Sequence, residues 1–304
     1  MNLFKSIKQK LRRLVIPPRL VREIEAMHQM QGRVLTELNR NKQSTSIQDY
    51  EFGIHSQWGE DGIIQHLISK IPIANRTFIE FGVEDFAESN CRFLMVNNNW
   101  RGYVIDGSAK WIRALRASNW FWKYDLQTQC AMITRDNVGE LLAQSGFDRD
   151  LGIMSIDVDG VDYWLLEAAL NAYAPRILIV EYNALFGQER SITVPYDAAF
   201  SRRQAHFSQL YFGASLGALH HLASRNDYEL VGTESAGVNA FFVRRDVLGS
   251  EVKALTPKEG FTDSRLRQGL TEKRKLALLN RASELAQIRG LPVVNVVTGA
   301  TEAL

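Results

Sequence analysis

From about Phe52 the chain alternates short apolar runs with helical stretches, the rhythm of a parallel-sheet α/β domain. The apolar runs predict strands at Thr77–Gly82, Gly102–Asp106, Trp120–Tyr124, Leu151–Asp157, Ile177–Glu181, Glu229–Thr233 and Val238–Arg244. Helices are predicted at Glu60–Lys70, Ala109–Ala117, Val138–Gln144, Tyr163–Ala172 and Leu216–Arg225. The short turn Glu234-Ser235-Ala236-Gly237 makes the last two strands an antiparallel hairpin. The expected fold class is therefore α/β and Rossmann-like: a seven-stranded, mostly parallel sheet with a terminal antiparallel hairpin. A further helix over Glu272–Ile288 has Leu276, Leu279, Leu285 and Ile288 on one side and stops at Gly290 and Pro292. It is expected to pack on the core or cover the substrate face.

The first 45 residues follow a different pattern. Lys5, Lys8, Lys10, Arg12, Arg13, Arg19 and Arg22 are accompanied by no acidic residue up to Arg22. Leu3, Phe4, Ile7, Leu11, Leu14 and Val15 recur at helical spacing. Such a basic amphipathic helix suits an anionic membrane surface, or packs its stripe on the body or a second subunit. Pro17-Pro18 stops it. A second helical pattern through Leu20, Ile24, Met27, Val34 and Leu38 reads as a stem that could dimerise, so a homo-oligomer is one expectation. The implied division is 1–45 helical extension, 46–250 ligand-binding domain and 251–304 C-terminal helical extension packed on that domain.

Composition narrows the class. With 304 residues, 45% hydrophobic and 23% charged, the chain can bury a full α/β core. A net charge of +2 gives no general preference for nucleic acid. Cys91 and Cys130 stand far apart without metal-ligand spacing, which suits a reducing cytosol. No apolar run reaches the roughly 18–20 residues of a spanning helix, and the basic N-terminus lacks a signal peptide's apolar centre. A cytoplasmic protein, peripheral at the inner membrane if the first helix binds lipid, is expected.

Candidate chemistry gathers at predicted strand ends, where open α/β sheets bind ligands. Thr77-Phe78-Ile79-Glu80-Phe81-Gly82 ends in acid, aromatic and glycine. Gly82 lets backbone approach a ligand, and Glu80 could accept from a cationic amino group or fix the loop. Asp106, followed by Gly107 and Ser108, is placed to accept both ribose hydroxyls of an adenosine. Asp125 closes the next predicted strand, beside an adenine amino group. Asp157, Asp159 and Glu181 close the two after that. A nicotinamide dinucleotide would want further glycines to cradle its pyrophosphate. Here Gly82 is followed by Val83-Glu84-Asp85-Phe86-Ala87-Glu88, whose acids repel a diphosphate but tolerate a sulfonium and an ammonium.

These residues resemble a known group. Ser56-Gln57-Trp58-Gly59-Glu60-Asp61-Gly62, Phe78 to Asp85, Ile156-Asp157-Val158-Asp159-Gly160, Tyr211 to Leu216 and Ser235 to Phe242 are similar to the FkbM-type S-adenosylmethionine (SAM) methyltransferases over about Phe52–Arg245. The resemblance implies a class I methyltransferase fold, whose usual plan is five parallel strands and a terminal hairpin, with SAM as donor. It further implies Glu80 and Gly82 beside the methionine part, Asp106 on the ribose, and Gln57 with Glu60 and Asp61 closing the pocket. Ser108 and Asp125 complete the expected cofactor set. Glu84 stands where many class I enzymes keep another glycine.

For the acceptor, His206 and Asp157 are the candidate catalytic residues. His206 lies in the insertion after the fifth strand, ahead of His55, His220 and His221. Asp157, Asp159 and Glu181, near Asn183, are hard oxygen ligands that suit Mg²⁺ and resemble metal-dependent sugar O-methyltransferases. Asp157 or Asp159 capping the next helix is the plainer reading. Arg190, Arg202 and Arg203 beside Tyr196 and Tyr211 suit a sugar with a phosphate-linked carrier. The leading expectation is a SAM-dependent O-methyltransferase acting on a sugar hydroxyl of a cell-surface glycan or small metabolite. A non-catalytic scaffold of the same fold and a nicotinamide oxidoreductase are the alternatives.

Overall fold

A computed structural model describes residues 18–304. The basic amphipathic segment Met1–Ile16 lies outside the described residues. Helix α1, Pro18–Arg40, precedes the domain. The main sheet orders its strands β3-β2-β1-β4-β5-β8-β7: β1 Thr77–Phe81, β2 Arg101–Asp106, β3 Leu126–Cys130, β4 Ile153–Ile156, β5 Ile177–Glu181, β7 Tyr228–Thr233 and β8 Asn239–Arg244. The first five strands are parallel, and β8 runs antiparallel to both β5 and β7. This is the seven-stranded plan expected above, with its reversed hairpin inserted beside β5.

The strands are apolar on both faces because both are covered. Ile79, Phe81, Met154, Ile156, Leu178, Val180 and Phe242 face one core layer. Phe78, Ile153, Ile177, Ile179, Phe241 and Val243, their alternating neighbours, face the other. Helices α2 (Glu60–Lys70), α3 (Arg92–Asn98) and α4 (Ala109–Arg116) cover the second layer. Helices α5 (Val138–Ala143), α6 (Asp162–Ala172) and α7 (Leu216–Arg225) cover the first. Serine caps start two of them: Ser108 accepts from Trp111 N, and Ser215 from Ala218 N at 3.0 Å.

Two expectations are corrected, and one feature is new. Trp120–Tyr124 is not a strand: Phe121–Lys123 is one 3₁₀ turn, its Trp120 packed among Phe86, Phe121 and Tyr124, and β3 begins only at Leu126. The C-terminal helix is shorter than Glu272–Ile288; helix α8 spans Arg281–Ile288, started by the Asn280 cap on Ser283 N at 3.0 Å. A second sheet, unforeseen, joins β6 (Ile192–Thr193) of the insertion after β5 to β9 (Pro292–Asn295) and β10 (Thr301–Ala303). It pins the C-terminal segment to the insertion. Among the described residues no helix is long and apolar enough to cross a membrane.

Candidate active site

A cavity of about 850 Å³ opens at the carboxyl ends of β1, β2, β4 and β5. Its floor begins at Gly82, whose φ of +75° belongs to the left-handed region. A Cβ there would lie 1.7 Å from the backbone oxygen of Asp157, so only glycine lets β1 and β4 close on each other. Beyond it Glu84 and Phe86 also hold positive φ, and Phe86 is fully buried against Phe78.

Glu80 is fixed by that loop and fixes it. Its carboxylate accepts from Ser89 Oγ at 2.6 Å, Asn90 N at 2.8 Å and Cys91 N at 3.1 Å. Of its two roles open from sequence, this is the loop-fixing one. Asp106 accepts from Glu84 N at 2.8 Å and Ser108 N at 2.7 Å, joining the β1 and β2 loops while lining the cavity. Gln57 lines the cavity and reaches Glu88 at 3.3 Å. Glu60 accepts from Trp58 N, Gly59 N and Asn239 Nδ2 at 2.9–3.0 Å, tying the segment before α2 to the β7–β8 turn.

Two expected cofactor residues are placed elsewhere. Asp61 is buried off the cavity, its one oxygen accepting from the N–H groups of Ile54, His55 and Ser56 at 2.6–2.9 Å. It shapes the loop that carries Gln57. Asp125 stands at the start of β3 rather than its end, exposed and paired with Arg101 at 2.6 Å. The end of β3 brings Ala131, Met132 and Ile133 to the cavity instead, which Trp111 also lines. That wall is apolar, as a purine face requires.

At the ends of β4 and β5 lie three carboxyl groups with ligand atoms within 4.8 Å: Asp157, Asp162 and Glu181. Asp162 takes the place expected for Asp159. Asp159, at φ +56°, turns out to an ion pair with Arg202. The oxygens of Asp162 accept from Val158 N at 2.8 Å and Gly160 N at 2.9 Å, so it is this residue that closes the turn before α6. Burial raises both Asp157 and Glu181; Asp159 and Asp162 raise Asp157 further, and Asp157 raises Glu181. Glu181 Oε2 is buried without any partner. The donors thus do not fit a divalent ion well: Asp162 does not line the cavity and Asp159 is paired with a guanidinium, leaving only the Asp157–Glu181 carboxyl pair. The expected Mg²⁺ set of Asp157, Asp159 and Glu181 is not assembled.

His206 does not line the cavity; its Nδ1 meets Ser208 Oγ at 2.7 Å and its ring packs on Phe207. Asn183 is likewise structural, donating to Leu210 O and Phe212 O at 2.9 Å. Of Arg190, Arg202 and Arg203, Arg190 pairs with Glu302 at 2.7 Å, and Arg202 alone reaches the cavity, stacked on Phe212. The rest of the outer wall was not legible in sequence. Asp197, Phe200, Ser264, Leu266, Gln268, Arg281 and Glu284 come from the insertion and the C-terminal segment, which the second sheet holds together.

Burial of this many acids has a measurable consequence. Glu80 is pushed up to about 7 and Glu234 to about 8, in each case mainly by burial. Between the ordinary carboxyl range and those values the folded chain holds protons that the unfolded chain has released. Stability therefore falls as pH rises. His55 and His66, pushed down to about 3 and 4 by burial, act in the opposite sense only below their ordinary value of 6.5. From pH 8 down to 7, then, the carboxyls outweigh the buried histidines, His206 and His220 included, and the melting temperature should rise, stability gaining up to about 1.4 kcal/mol per proton and pH unit. Calorimetry across that range checks it; a flat or falling melting temperature contradicts it.

No protein-family profile and no curated protein sequence matches this chain. Among solved structures it is similar to the O-methyltransferase from Bacillus cereus in complex with SAH, with 13% identity, 78% of this chain and 95% of that one covered, and a TM-score of 0.38. It is also similar to the N-terminal domain of EvdMO1 with SAH bound (10% identity, 59% and 77% covered, TM-score 0.37). A third is PKMT2 from Rickettsia typhi in complex with AdoHcy (9% identity, 61% and 53% covered, TM-score 0.41); this chain spans about half of that protein's length. The fold assignment rests on the strand order and pairing of the chain itself.

Proposed function

We propose that the protein is a SAM-dependent O-methyltransferase whose acceptor is an uncharged hydroxyl, a sugar of a glycan or related metabolite being the reading its outer wall favours. The observation that carries it is the cavity wall from Gly82 to Ser108. It combines a left-handed glycine, an acidic loop, Asp106 one strand along, and the apolar face of Trp111, Met132 and Ile133. When bound, SAM supplies a methyl group already activated on a sulfonium. Asp106 keeps unused lone pairs for the ribose hydroxyls, the apolar face takes the purine, and Glu84, Asp85 and Glu88 suit the donor's positive groups. The same acids disfavour a pyrophosphate, which argues against a nicotinamide cofactor, and they disfavour a phosphate-linked acceptor too. Arg202 and Arg281 are the wall's cations, and each is paired, with Asp159 and Asp263.

The acceptor's proton would pass to the Asp157–Glu181 pair. A carboxyl pair held above the ordinary carboxyl range by burial is a stronger base than an ordinary carboxylate, which methyl transfer to a hydroxyl needs. Displacement at the methyl carbon breaks the C–S bond and forms the O–C bond, and the pair takes up the hydroxyl proton. Titration calorimetry with SAM and with NADH tests the donor. SAM should bind and NADH should not, and Asp106→Ala should weaken SAM at least about tenfold through loss of charged hydrogen bonds. Failure of wild-type protein to bind SAM, or an Asp106→Ala variant that binds as wild type does, would defeat the reading. SAM binding without turnover on any hydroxyl acceptor would favour the scaffold alternative.

A further inference from the structure

Helix α1 sits on the body with the wrong face for an ordinary surface helix. The side turned inward is mostly polar or small, Glu25, Gln29, Gly32, Thr36 and Asn39, with Leu35 half-buried at its edge. Gly32 lies where a Cβ would be 2.5 Å from Phe93, Asn39 donates to Tyr50 O at 2.7 Å, and Arg33 reaches Asn97 at 3.3 Å. The apolar side points away. Leu20, Ile24, Met27, Val34 and Leu38 are all between 42% and 68% exposed, with Met30 beside them. An amphipathic helix normally does the reverse, since burial of the apolar stripe is what holds it.

The exposed residues keep strict alternating steps of four and three when Gln31 is included: 20, 24, 27, 31, 34, 38. That is a heptad seam, with Leu20, Met27 and Val34 at d and Ile24, Gln31 and Leu38 at a. A two-in-seven seam is narrower than the broad apolar face with which a helix lies in lipid, and Glu23 and Glu37 border it, which anionic lipid would repel. Both features fit a second copy of the same helix.

We infer that α1 is a dimerisation element, pairing parallel and in register with α1 of another copy through the Leu20–Leu38 seam. Flanking charge selects the direction. In a parallel pair each g position faces the next e position of the partner, so Glu23 meets His28 and Met30 meets Leu35. In an antiparallel pair g faces g, and Glu23 is set against Glu37 twice. Gln31 adds to this: parallel register places it against its own copy, where two amides hydrogen-bond, whereas the antiparallel register places it against Met27. The body lies on the opposite side of α1 from the seam, so the two bodies flank the coil.

Sedimentation of the full chain, with light scattering at high micromolar concentration, tests this without reference to the methyltransferase reading. The expected mass is twice that of the chain, and Ile24→Glu with Val34→Glu should halve it while leaving the circular dichroism and thermal melt unchanged. Direction is read separately: Gln31→Cys in a Cys130→Ser background should cross-link to a dimer under mild oxidation. A wild-type monomer, or a dimer that survives Ile24→Glu with Val34→Glu, overturns the proposal. Monomer that floats with anionic vesicles and loses flotation in that double variant would make the seam a lipid face instead. A dimer in which Gln31→Cys does not cross-link overturns the parallel register.

Discussion

Replacing Asp157 by Asn is expected to lower turnover by about 10²- to 10⁴-fold, the usual worth of a positioned base, with SAM affinity changed only a few-fold. The variant keeps the size of the side chain and leaves in place the Asp157 backbone oxygen on which Gly82 closes. What it removes is the carboxyl whose oxygen lies within 4.8 Å of Glu181. Glu181→Gln should have a comparable effect, and the double variant little more than either single one, because the two act as a unit. In the wild type, burial and neighbouring carboxylates raise both groups. A raised carboxyl must lose its proton before it can accept one from the acceptor, so activity should climb with pH above the ordinary carboxyl range rather than within it. The climb should vanish in Asp157→Asn. Turnover should also withstand EDTA, since Asp159 and Asp162 are engaged by Arg202 and by backbone N–H groups. Turnover abolished by EDTA and restored by Mg²⁺ would show that an ion, not the carboxyl pair, handles the proton.

The second large effect is at Gly82. Gly82→Ala is expected to abolish SAM binding and to cost on the order of 2–4 kcal/mol of stability, in the range of a severe backbone or packing lesion. Two terms add. A side chain at φ +75° is strained by itself, and its Cβ would overlap a backbone oxygen that no rotamer change can move aside. Relief requires β1 and β4 to separate, which also displaces the Glu84 N–H from Asp106. Gly139→Ala is the matched control. It sits in helix α5 with open space where its Cβ would stand, and it should be neutral or slightly stabilising. Thermal melts and calorimetry of the two variants side by side test the contrast; equal behaviour would show that the close approach at Gly82 is not what shapes the site.

Local signals were enough for most of the fold. Strands such as Ile177–Glu181 and helices such as Glu60–Lys70 and Leu216–Arg225 lie where the apolar runs and their flanks put them. A strand covered on both faces needs a continuous apolar run, and such a run is visible without knowing its neighbours. The acids at the ends of β1, β2, β4 and β5 were legible for the same reason, since a strand that can be located has an end that can be located. Asp125 failed by that logic: the aromatic run Trp120–Tyr124 has the composition of a strand, but its rings pack as a 3₁₀ turn, and the strand starts one residue after Asp125.

Tertiary structure decided what each acid does. Asp61, Asp162 and Asp106 all accept from backbone N–H groups of nearby loops, yet only Asp106 of the three lines the cavity. Whether Asp159 or Asp162 joins Asp157 and Glu181 depended on a left-handed turn and on Arg202, forty-three residues away in the chain. The outer wall depended on two residues of β6 pairing with β9 about a hundred positions later, an interaction with no local pattern to announce it. Helix α1 shows both halves at once. Its heptad spacing is written in the sequence, but only its docking through Gly32, Thr36 and Asn39 shows which face is left for another partner. Periodicity along a chain fixes which residues share a side. It takes the packed body to decide which side faces in.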